Sequence, residues 1–185
     1  EFRGETLLGR AVRVMLECFD EVVISVAPGG TGRAMEVLGD AAPTAGIKFA
    51  EDIFPGRGPV AGIHAGMEKG EARYYFVAGC DMPFLDAGLC VAMTEYAFEK
   101  ECDVLVPELR NGYRHPLHAV YSRNCLPHIR RQLETGESNR IIHFFPSVKV
   151  CTVDEECIKK YDSEMNCLMN VNDAQELERA RGIES

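Results

Sequence analysis

Apolar residues along the chain follow two rhythms that take turns. Leu8, Val12, Met15, Leu16 and Phe19 recur at helical spacing, which predicts an amphipathic helix over about Thr6 to Phe19. The β-branched run Glu21 to Ala27 then reads as a strand buried on both faces, stopped by Pro28-Gly29-Gly30. A second helix is predicted over Gly32 to Leu38 and a short strand over Ile47 to Ala50. After a Gly- and Pro-rich loop from Glu51 to Gly58, Val60 to Lys69 has helical character, entered through Pro59 at a favoured first-turn position. Arg73 to Gly79 is the strongest strand signal. It is followed by a helix over Asp86 to Lys100, with Leu89, Met93, Tyr96 and Ala97 on one face, and a strand over Asp103 to Pro107.

The C-terminal third is less regular. His115 to Ser122 is a strand candidate whose Pro116 predicts an edge or a bulge. Helices are expected over Asn124 to Glu134 and Asn139 to Phe144, a strand over Val148 to Val153, and a last helix over Asp173 to Arg181. Asn172 and Gln175 have the spacing of a capping box for that helix. Strands alternating with helices predict an α/β fold of three layers, Rossmann-like, with a mostly parallel sheet and helices on both faces. No internal repeat or low-complexity linker interrupts the pattern, so residues 1–185 are expected to form a single domain.

Charge narrows the choice of partner. Lys and Arg number 20 against 29 Asp and Glu, a net charge of −9, and such a surface repels a polyphosphate backbone. A nucleic-acid partner is therefore not expected, whereas a small phosphorylated ligand needs only a few local donors. The longest uncharged stretch near an apolar core, Val22 to Gly32, is too short for a membrane span and contains Pro28. The eight cysteines are scattered, with no Cys-x-x-Cys pair, and several lie in apolar segments. This predicts free thiols in a reducing cytoplasm rather than a zinc site or a disulfide framework.

Four stretches could carry chemistry. Gly56-Arg57-Gly58-Pro59-Val60-Ala61-Gly62 lies between strand and helix, where glycines admit a ligand to the backbone and first-turn amides face anions. The same residues also make an ordinary turn. Asp81, in Cys80-Asp81-Met82-Pro83-Phe84-Leu85, stands at the carboxyl end of the strongest strand, where open α/β sheets place ligands, and is suited to holding Mg²⁺. Asn170 and Asn172 flank Val171 and share one face of an extended chain, though Asn172 also suits a helix cap. Arg114-His115-Pro116-Leu117-His118 forms the fourth. Its histidines fall on opposite faces of a strand, which argues against a shared metal. Cys125-x-x-His128 and the turn Pro28 to Arg33 are weaker signals for metal and phosphate respectively.

Together, GPVAG at Gly58 to Gly62, CDMPFL at Cys80 to Leu85, RHPLHAVY at Arg114 to Tyr121 and NVN at Asn170 to Asn172 resemble one family. It is that of the molybdenum cofactor guanylyltransferases and their MobA-like relatives among nucleotidyltransferases. The resemblance implies transfer of GMP from GTP to molybdopterin with release of pyrophosphate. It implies that Asp81 holds Mg²⁺, that Gly58, Pro59, Val60, Ala61 and Gly62 contact the nucleotide, and that Asp52 contacts its guanosine part. Arg114, Asn170 and Asn172 are implied on the phosphate and pterin side. A related enzyme using CTP or another phosphorylated acceptor, or a non-catalytic binding module, is the alternative. Transient contact with molybdenum-insertion proteins or molybdoenzymes also follows from the likeness. The family opens with a strand and a Gly-rich loop of the type LAGGxSxRMGxxK. No such segment precedes Gly4, so the 185 residues are expected to lack the part that grips the triphosphate.

Overall fold

Thr6 opens the first helix by accepting the Gly9 amide on its hydroxyl, and the computed structural model describes residues 1–39 and 45–183. The chain runs α1 (Leu7–Cys18), β1 (Val22–Val26), α2 (Thr31–Leu38), β2 (Ile47–Glu51), α3 (Pro59–Lys69), β3 (Tyr74–Ala78) and α4 (Ala87–Glu99). It continues through β4 (Val104–Pro107), β5 (His118–Ser122), α5 (Leu126–Thr135), β6 (Val150–Val153), α6 (Glu155–Ile158) and α7 (Ala174–Arg181). Apart from the helix predicted over Asn139 to Phe144, the expected elements therefore form within a few residues of their predicted bounds.

Side-chain alternation on β3 defines the layers. Tyr75 and Val77 pack into a core with Val60, Ala61 and Met67 of α3 and with Ile129 and Leu133 of α5. Tyr74 and Phe76 face the other way, toward Leu89, Met93 and Ala97 of α4. Ala11, Val14 and Met15 of α1 reach the same side through Phe76 and Ala78. Helices thus cover both faces, as the alternating pattern requires. Tyr96 departs from its predicted place: it is 44% exposed, and Cys90 completes the buried stripe of α4 instead.

The sheet is mixed. β1 pairs with β2 in parallel, and β4 with β6 in parallel, while β5 runs antiparallel to both β3 and β4. The four-stranded order is β3-β5-β4-β6, so β5 is an interior strand and all of His118–Ser122 is buried. This overturns the edge or bulge read from Pro116. The proline precedes the strand, where its missing N–H is not needed by the ladder, and its carbonyl accepts the buried Tyr121 hydroxyl at 2.7 Å. Among the described residues, β1 and β3 each have strand partners on one edge only.

Three further expectations are corrected. Cys102 and Cys151 are joined by a disulfide across 49 residues. The parallel pairing of Leu105 with Cys151 brings the two segments together, a juxtaposition invisible in their spacing. The other cysteines, including Cys18, Cys90 and Cys167, are free. The last helix is capped one residue later than expected: Asp173 accepts the Glu176 amide, and Glu176 in turn accepts the Asn172 amide. The predicted helix at Asn139 to Phe144 is a 3-10 segment over Ile141–Ser147 that contains Pro146. Among the described residues no helix is long and apolar enough to cross a membrane.

Candidate functional site

Asp81 sits in the turn just beyond β3, partly exposed. Its carboxylate takes no protein hydrogen bond among the described residues. It leans over the bare α-carbon of Gly79, where an added methyl would overlap Asp81 Oδ1. The turn itself is held on several sides. Gly79 donates its amide to Leu117 at 3.0 Å, and Asp81 accepts the Val171 amide on its carbonyl at 2.8 Å. Arg10 reaches across from α1 to donate its Nε to the Pro83 carbonyl at 2.5 Å. A free carboxylate on a braced backbone is a suitable single anchor for a divalent cation, which commonly takes one or two carboxylates and completes its shell with water and phosphate oxygens. No cluster of three or more acidic, His or Cys side chains able to hold a metal alone exists among the described residues.

The bond from Val171 to Asp81 places the Asn170–Asn172 segment against the Asp81 turn, joining two of the predicted motifs. Val171 is buried with Phe2 and Ala180, which turns the flanking asparagines outward. Asn170 lines a cavity there, whereas Asn172 is exposed and donates its side-chain amide to Glu176 at 3.3 Å. Of the predicted stretch from Arg114 to His118, His115, Pro116 and Leu117 line the same cavity. Arg114 itself turns to Glu108, with Nε 2.6 Å from the carboxylate, and its charge is already paired.

Gly58 to Gly62 occupy a second half of the site, built on β1, β2 and α3. Gly58 lies in the left-handed region at φ +69°, which only glycine adopts freely, and Pro59 starts α3. Val60 and Ala61 are fully buried in the core, so these two residues can offer a ligand only their backbone. Ala61 donates to Gly58, while the Val60 amide finds no backbone carbonyl among the described residues, leaving a donor at the positive end of the helix. Asp52 makes its own turn, accepting the Phe54 amide at 2.6 Å. No hydrogen bond or ion pair links this half to Asp81 among the described residues.

Sequence reasoning missed several residues that shape these halves. Ser25 of β1 donates its hydroxyl to the Gly62 carbonyl at 2.6 Å. Gly62 and Gly66 let α3 lie close over that serine, and their four-residue spacing was the available signal. Arg57 packs its guanidinium over Gly136 at the end of α5, a contact no local pattern announces. Tyr113, from a loop, and Ile141, from the start of the 3-10 segment, join the Asn170 cavity from stretches with no motif of their own.

The model of the MobA-like NTP transferase domain matches residues 1–149. A probable molybdenum cofactor guanylyltransferase of Methanosarcina mazei is 30% identical over 184 residues, 98% of this chain and 80% of the relative. The molybdenum cofactor guanylyltransferase of Desulfosudis oleivorans is 33% identical over 178 residues, 96% of this chain and 81% of the relative. In fold, the chain is similar to the molybdopterin-guanine dinucleotide biosynthesis protein A of Archaeoglobus fulgidus, with a TM-score of 0.78 at 24% identity over 97% of this chain and 86% of that one. Motif order, layer architecture and relatives converge: the chain belongs to the MobA-like NTP transferase family, and it is a nucleotidyltransferase.

Proposed function

We propose that the protein transfers GMP from GTP to molybdopterin. The observation that carries this reading is the backbone bond from Val171 to the Asp81 carbonyl, which sets a candidate metal carboxylate beside Asn170 at the end of β3. The terminal phosphate of molybdopterin attacks the α-phosphorus of GTP in line. A new phosphorus–oxygen bond forms, the bond to the bridging oxygen breaks, and pyrophosphate leaves with the electron pair. The attacking phosphate is already an anion, so the protein needs neither nucleophile nor general base, and positioning does most of the work.

Asp81 is the residue suited to Mg²⁺, because its carboxylate is unpaired, partly exposed and fixed by a braced turn. Bound there, Mg²⁺ supplies charge neutralisation at the α-phosphate. The first-turn amide of α3 at Val60 is a donor available to the nucleotide's phosphates, and Asp52 is the carboxylate nearest in sequence for its guanosine part. Asn170 serves the acceptor side; Asn172 and Arg114, held by Glu176 and Glu108, would have to exchange those partners to join it.

Asp81→Ala tests the reading. With GTP and molybdopterin as substrates, pyrophosphate release should fall by about a hundredfold or more, the size expected for losing one transition-state charge partner. Circular dichroism should remain unchanged. Undiminished turnover in Asp81→Ala refutes the assigned role, and preference for CTP over GTP in the parent protein refutes the nucleotide.

A further inference from the structure

His64 stands inside the fold with a polar edge that the core does not need. It is a fully buried residue of α3. Its ring meets the Phe54 ring edge-to-face at 5.3 Å, and its Nε2 accepts a hydrogen bond from Arg130 Nε of α5 at 3.4 Å. Arg130 also donates to Glu68, four residues further along α3, at 3.0 Å. The other ring nitrogen, Nδ1, is buried with no hydrogen-bond partner among the described residues. A leucine would pack there without an orphaned nitrogen, so the imidazole carries a cost that packing alone does not explain.

The ring accepts from Arg130 only while it is neutral. With Nε2 as the acceptor, the single proton of the neutral ring is on Nδ1. The charged groups around it are Glu68 on α3, Arg130 and Glu134 on α5, and Asp52 on the loop before α3. Burial is the largest influence and, with Arg130, outweighs the three carboxylates. The pKa therefore lies below the ordinary imidazole value, and the ring is uncharged near pH 7.

Among the described residues, the loop that His64 touches has few other holds. Ile53, Pro55, Gly56 and Gly58 are exposed, and both glycines have positive φ. Phe54 is the loop's apolar anchor, packed against the core that α3 and α5 share, and its carbonyl accepts the Arg57 amide at 3.3 Å. Arg57 adds a second hold, lying so close over Gly136 that a β-carbon there would fall 2.7 Å from its guanidinium. Both holds lead to α5. That helix carries none of the predicted nucleotide contacts, yet it helps to set the loop that does.

We infer that His64 is a positioning residue for the nucleotide: by joining Phe54 to Arg130, it fixes the Asp52–Gly58 loop against α5 in the place where GTP is bound. The inference rests on the proposed use of that loop for GTP, and it extends the site to a side chain that touches no substrate.

Hydrogen exchange at the Arg57 amide reads the loop directly, and kinetics with GTP and molybdopterin read the consequence. His64→Ala and Phe54→Ala should each speed that exchange by about tenfold, the size expected for losing one modest contact, while the amides of β5 keep their rates. Each should raise KM for GTP by about tenfold with kcat within about twofold, because a held loop serves binding equally in ground and transition states. The two substitutions together should cost no more than either alone, since they break one contact. His64→Gln, whose side-chain oxygen can accept from Arg130, should restore both readings to within about threefold of the parent. Phe54 is half-buried in a loop, so its variant preserves the fold even if His64→Ala does not. Arg57 exchange that is unchanged in both variants, or that rises only in step with the β5 amides, overturns the inference. So does a double variant in which the two effects multiply. If the parent does not turn over GTP, the proposed function fails, and the exchange rates alone decide the inference.

Discussion

His118 should make the protein's stability fall below neutral pH, and a single substitution should remove its share of that dependence. The side chain lies in the interior strand β5, opposite Ala78 of β3, and is fully buried. Neither ring nitrogen has a hydrogen-bond partner, and the Phe76 ring meets the imidazole edge-on at 5.1 Å. Burial first, and the neighbouring His115 second, push its pKa down to about 3. In the unfolded chain the same residue titrates near 6.5. Between those values the unfolded state binds a proton that the native state refuses, so stability is full above about pH 6.5 and is lost as pH falls toward 3. The slope is about 1.4 kcal/mol per pH unit, which gives a loss of about 2 kcal/mol at pH 5 from this residue alone. His64 and His115 are shifted downward by burial and act in the same direction. His118→Leu should flatten the pH 5 to 7 dependence by about 2 kcal/mol. At pH 7 it should be at least as stable as the parent, because unsatisfied buried polar atoms cost about 1–3 kcal/mol each. Urea unfolding of both proteins at pH 5 and pH 7 reads this directly. Parallel losses in parent and variant would refute the reasoning.

Other perturbations separate stability from function. Gly79→Ala should leave the urea midpoint nearly unchanged, since Asp81 can swing away from the added methyl, yet lower pyrophosphate release by about tenfold or more; an unaffected rate would show that the carboxylate's position is unimportant. Reducing the Cys102–Cys151 disulfide, which closes a loop of 49 residues, should cost about 4 kcal/mol in unfolding free energy. Equal urea midpoints for the oxidised and reduced protein would count against it. Gly136→Ala places a β-carbon at φ +69° and within 2.7 Å of the Arg57 guanidinium. It should destabilise the fold by about 1–2 kcal/mol and, by displacing Arg57 from the Gly56–Gly58 loop, weaken GTP binding, both readable by urea unfolding and nucleotide titration.

Much of the candidate site was legible because its chemistry is local. Asp81 could be singled out from a carboxylate after an apolar run, and Gly58 from the demands of a strand-to-helix turn. Their neighbours across the fold were not legible. Val171 finds Asp81, Arg10 finds Pro83 and Arg57 finds Gly136 only when separate elements pack. Pro116 was misread for the same reason: a proline warns against the strand interior only if it lies inside the strand, and β5 begins at His118.

Hydrophobic period and turn chemistry along the chain were enough to determine the helices, the strands and the layered α/β plan, because each of these depends on residues within a few positions of one another. Strand order, the antiparallel direction of β5, the Cys102–Cys151 bond and the cavity shared by His115 and Asn170 were decided only by the tertiary structure. They depend on which apolar faces bury one another at long range, and no local spacing encodes that choice.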